Sequence, residues 1–64
     1  MDREALGKRL RVYRAAHSIS QTAMAQRLGI SQSALSLIET NKPVKQFDDE
    51  KLAQIYKACG RVSA

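Results

Sequence analysis

Tryptophan is absent from this chain, and cysteine, proline and histidine occur once each. A single Cys59 cannot close an intrachain disulfide, and one Cys with one His cannot complete a structural zinc set, so no metal or other cofactor is expected. Such cysteine usage suits a reducing cytosol. Long apolar runs are also missing, which excludes a membrane span and a secretory leader from the residues present. No stretch alternates apolar and β-branched residues with polar ones in the manner of a strand. With 64 residues and only three glycines, there is room for one small unit, which must build a compact helical core because it has no staple.

Acidic residues are scarce in one part of the chain. Residues 1–45 hold eight basic side chains (Arg3, Lys8, Arg9, Arg11, Arg14, Arg27, Lys42, Lys45) against three acids (Asp2, Glu4, Glu39), whereas residues 46–64 balance three against three. The whole net charge of +5 therefore lies in the first 45 residues. One-sided basicity favours a polyanionic partner, and nucleic acid before membrane, since no segment alternates Lys with large aromatics like an interfacial helix.

Four helices can be placed from their ends. Asp2 caps a first helix over about 3–16, with Leu6, Leu10 and Tyr13 on one face and Lys8, Arg9 and Arg11 elsewhere. Gly7 inside it costs helix propensity, which implies close packing against a neighbour. Ile19-Ser20-Gln21-Thr22-Ala23-Met24 and Ile30-Ser31-Gln32-Ser33-Ala34-Leu35 repeat one start signal: a Ser N-cap between apolar residues at the spacing of a hydrophobic staple. They open helices over about 21–28, ending at Gly29, and about 32–40, with Asn41 as a left-handed cap and Pro43 as a stop. Phe47-Asp48-Asp49-Glu50-Lys51-Leu52 repeats the staple and opens a helix over about 49–59. Gly60 closes it, giving a domain over 1–60 and a frayed tail over 61–64.

Counted from Gln21, Ala25 is fifth, Gly29 ninth, Leu35 fifteenth and Ile38 eighteenth. Two helices crossing steeply over a short turn need a small residue where backbones approach, a Gly where φ turns positive, and apolar anchors in the second helix. These positions fit a helix-turn-helix; the plainer alternative is an ordinary corner in a small bundle. The chain resembles the phage Cro and repressor type of helix-turn-helix, the Xre family, over about residues 6–60. The carriers are Gly7-Lys8-Arg9-Leu10-Arg11 and Arg14, Ser20-Gln21, Ala25, Leu28 through Ser36, Ile38-Glu39, and Leu52, Ile55 and Ala58-Cys59-Gly60. Asn41 stands where the family usually has Gly.

The resemblance implies an all-α, compact four-helix bundle of the lambda-repressor-like type, here without the family's usual fifth helix. It also implies base reading by Gln32, Ser33, Ser36 and Leu37 from the third helix. Gln32 suits adenine, because its amide can both accept from N6 and donate to N7. Leu37, opposite the Leu35 and Ile38 stripe, could meet a thymine methyl or else a packing or dimer contact. Phosphates would be held by Gln21 and Ser31 at helix starts and by Thr40, Asn41, Lys42 and Lys45 in the following loop. For each of these polar residues the alternative is plain solvation. Arg14 and Glu39 are expected to form a structural ion pair, with Arg14 on phosphate as the rival.

Blander readings suffice elsewhere. His17 caps a helix dipole, Cys59 fills apolar space, Tyr13 and Tyr56 sit at the core edge, and Asp48, Asp49 and Glu50 cap the fourth helix. No nucleophile-and-base pair is present, so an enzyme is not expected. The expected function is a cytoplasmic transcription regulator, foremost a repressor, that binds an inverted-repeat operator as two copies, with a weak dimer in the free state. The rivals are a protein-interaction module, such as an antitoxin or antirepressor partner, and a DNA-binding piece of a larger regulator.

Overall fold

The computed structural model describes residues 2–59. Gly60 and the expected tail over 61–64 lie outside the described residues. Four helices follow one another: α1 (Arg3–His17), α2 (Gln21–Leu28), α3 (Gln32–Glu39) and α4 (Asp49–Cys59). No strand occurs among the described residues. The fold is therefore an all-helical bundle, with boundaries within one residue of those read from the caps, a difference within ordinary end fraying.

Side-chain caps start every helix. Asp2 Oδ1 accepts from the backbone N–H groups of Glu4 and Ala5. Ser20 Oγ accepts from Ala23 N–H, Ser31 Oγ from Ala34 N–H and Asp48 Oδ1 from Lys51 N–H. Each bond satisfies a donor that the helix itself leaves orphaned, worth about 1 kcal/mol per cap.

The first three helices also end alike. After α1, Ser18 N–H reaches Ala15 C=O and Ile19 N–H reaches Arg14 C=O; after α2, Gly29 and Ile30 repeat this on Gln26 and Ala25; after α3, Asn41 and Lys42 repeat it on Ile38 and Leu37. This is the Schellman pattern, which needs one left-handed residue. Ser18 (φ 55°), Gly29 (φ 72°) and Asn41 (φ 58°) supply it. Ile19 and Ile30 each close one helix and staple the next, which is why both connections are so short.

Leu6 and Leu10 of α1, Met24 and Ala25 of α2, Ala34, Leu35 and Ile38 of α3, and Leu52, Ile55 and Cys59 of α4 form the core, joined by Val44 from the α3–α4 loop. Burial raises the Cys59 thiol pKa, an effect that the nearby Arg9 guanidinium partly offsets. The closest approach is at Gly7, where a Cβ would stand 2.5 Å from the Ile38 carbonyl oxygen. Glycine is thus required for α1 to press backbone to backbone against α3, and this seam fixes where α3 lies.

Candidate nucleic-acid interface

The end of α3 is tied to α1 by a two-pronged ion pair. Arg14 Nε and Nη2 donate to Glu39 Oε2 and Oε1, both at 2.7 Å, and Arg14 Nη1 donates to the Ile19 carbonyl at 3.2 Å. Glu39 is only 5% exposed, so its charge depends on this partner. The Glu39 hydrogen bond raises Arg14 above the usual arginine pKa. Arg14 is thereby committed inside the domain, and its rival reading as a phosphate ligand loses its free guanidinium.

From Glu39 the chain of hydrogen bonds continues to the surface. Gln21 Nε2 donates to Glu39 Oε1 at 3.2 Å, and Gln32 Nε2 donates to Gln21 Oε1 at 3.1 Å. Gln21 and Gln32 are the first residues of α2 and α3, because the same Ser cap precedes each. Stapling the two helices at the same phase brings the two amides together. The sequence assigned these residues separate roles and missed their coupling; the repeated Ser-Gln start was the signal that could have revealed it.

One N–H of the Gln32 amide is used by Gln21. The second N–H and the carbonyl oxygen remain, and Gln32 is exposed. A donor and an acceptor side by side are what the major-groove edge of adenine requires. Ser33, next on α3, is also exposed, and Ser36 one turn on is half-buried.

For Leu37 the structure shows the packing contact, one of its two expected readings. The side chain is half-buried and packs against the core cluster, so it is not a free apolar group opposite the Leu35 and Ile38 stripe. Thr40 is also engaged: its hydroxyl donates to the Ser36 carbonyl at 2.8 Å and to that of Leu37 at 3.3 Å, closing the helix end. Ser31 Oγ accepts the capping bond, which leaves its hydrogen to donate outward. Asn41, Lys42 and Lys45 are exposed in the loop beyond α3.

The starts of α2 and α3 thus meet through two interlocked glutamines, and an exposed basic loop follows the end of α3. A helix N-terminus favours an anion. Among the described residues, no group of three or more His, Cys, Asp or Glu side chains could hold a metal ion. No helix among them is long and apolar enough to cross a membrane.

A helix-turn-helix domain family model matches residues 5–62. The match spans most of the chain, which therefore belongs to that family of DNA-binding domains. No curated protein and no solved structure gives a significant match.

Proposed function

We propose that this domain is a sequence-specific transcription regulator of the phage Cro and repressor type, acting as a repressor that covers an operator in duplex DNA. It works by binding and not by catalysis, in the cytoplasm. The observation that carries this reading is the Gln32 amide, braced by Gln21 at the start of α3, with one N–H and its carbonyl left for a base. Gln32 reads adenine, Ser33 and Ser36 contact neighbouring bases, and the exposed part of Leu37 lies beside them. Gln21, Ser31 and the backbone N–H groups at the two helix starts hold phosphates, as do Asn41, Lys42 and Lys45. Thr40 contributes through the loop it shapes.

Two copies bind an inverted repeat, with recognition helices in successive major grooves about 34–36 Å apart. Selection of bound sequences from a random duplex pool tests this reading. It should enrich an inverted repeat with an adenine at a fixed place in each half, and retention should fall steeply with salt. Retention with no enriched sequence would remove the base-reading role.

A further inference from the structure

The side of α1 facing away from α3 carries a second surface. At about 100° per residue, Ala5, Val12 and Ala16 share a face of α1 roughly opposite the Gly7 and Arg14 face that meets α3. With Tyr13 and with Tyr56 of α4 they line an open groove of about 480 Å³. Val12 is 57% exposed and Tyr56 38%, and these are the large hydrophobic residues that the described part of the chain leaves in solvent. Single exposed apolar residues need no explanation, but here they fall together in one concave site.

The groove's rim has one sign of charge. Lys8 and Arg9 line it and no carboxylate does. The Arg9 guanidinium lies 4.5 Å from the centre of the Tyr56 ring, which holds its positive charge at the groove. From Ala5 to Ala16 is about 16 Å of helix, a length suited to the i, i+4 and i+7 anchors of a docked helix. A second copy meeting this groove about a two-fold axis would set the same cations near one another.

We propose that the groove between α1 and α4 docks an acidic amphipathic helix of another protein, its apolar side on Val12, Tyr13 and Tyr56 and its carboxylates on Lys8 and Arg9. The α3 edge stays open, so DNA and this partner bind together. Nothing in this inference depends on base reading by Gln32.

The test is a titration of the isotope-labelled full chain, followed by amide NMR shifts, with a synthetic peptide of about fifteen residues carrying Leu at i, i+4 and i+7 and Glu on the flanks. A twin peptide with Lys for Glu is the control. The acidic peptide should shift the amides of Val12, Ala16 and Tyr56, and the twin should not. Val12→Glu and, separately, Lys8→Glu should each weaken the peptide about tenfold, while retaining the wild-type fold and affinity for duplex DNA. The proposal is overturned if the acidic peptide does not bind, if both peptides bind equally, or if the shifts centre on α3. It also fails if the same amides shift with protein concentration alone, which would make a second copy the occupant.

Discussion

On one side of α1, Gly7 lies against the Ile38 carbonyl and Arg14 is locked to Glu39. On the other side, Val12 and Ala16 border an open groove, and the contact spanning it is Arg9 on Tyr56. The first side tolerates almost no added volume and pairs its buried carboxylate, Glu39, with Arg14; the second is exposed and loosely bounded. The seam that positions α3 is therefore specified atom by atom, whereas the opposite side can vary without moving α3. Precision is concentrated where it fixes α3, the helix proposed to read bases through Gln32.

Substitutions can break this contrast, in descending order of effect. Glu39→Ala strands the Arg14 cation and removes the acceptor of Gln21, so it should cost on the order of 3 kcal/mol in urea unfolding. A loss below about 0.5 kcal/mol would put the pair in the class of solvent-screened surface bridges. Gly7→Ala should cost about 2 kcal/mol, because the Cβ meets backbone that cannot step aside. That sign opposes helix propensity, which alone would favour Ala by about 1 kcal/mol, so a stabilised variant would show that α1 and α3 are not in close contact.

Smaller effects lie outside the seam. Ser18 holds a left-handed conformation that costs a residue with a Cβ about 1–2 kcal/mol, so Ser18→Gly should raise the melting temperature by an amount equivalent to about 0.5 kcal/mol, after Gly's greater freedom in the unfolded chain is set against it. A destabilised Ser18→Gly variant would mean that the serine side chain has a structural role. Val12→Ser, on the groove side, should change stability by less than about 0.5 kcal/mol. A larger loss would place Val12 in the core and abolish the distinction between the two sides.

The helix starts and two of the three left-handed ends were legible because Ser, Asp, Gly and Asn each have a specific backbone use there. Ser18 was not, since serine has no preference for the left-handed region; the demand comes from the short connection to Ile19. Val44 was missed as a core residue because a lone apolar residue in a polar loop has no periodicity to mark it. The Arg14 and Glu39 pair was expected from the family resemblance, and Gln21 and Gln32 were singled out separately. Their joining into a single run of hydrogen bonds depends on how α2 and α3 cross, which spacing along the chain does not give. Leu37 was read from its helix face with packing as one alternative, and it packs; Thr40 was read as a loop residue, whereas its hydroxyl closes the helix end on the Ser36 and Leu37 carbonyls. The groove between α1 and α4 needed the fold, because Val12 and Tyr56 are far apart in sequence.

The central claim is that Gln32 reads bases while Lys42 holds phosphate, and one paired measurement tests it: binding of Gln32→Ala and Lys42→Ala to a selected operator and to scrambled duplex across a salt series. Gln32→Ala should lose about 1–3 kcal/mol on the operator and little on scrambled duplex. Lys42→Ala should weaken both similarly and lower the salt slope by about 1. Equal losses on both duplexes for Gln32→Ala would contradict the account, because α3 would then hold DNA without reading it.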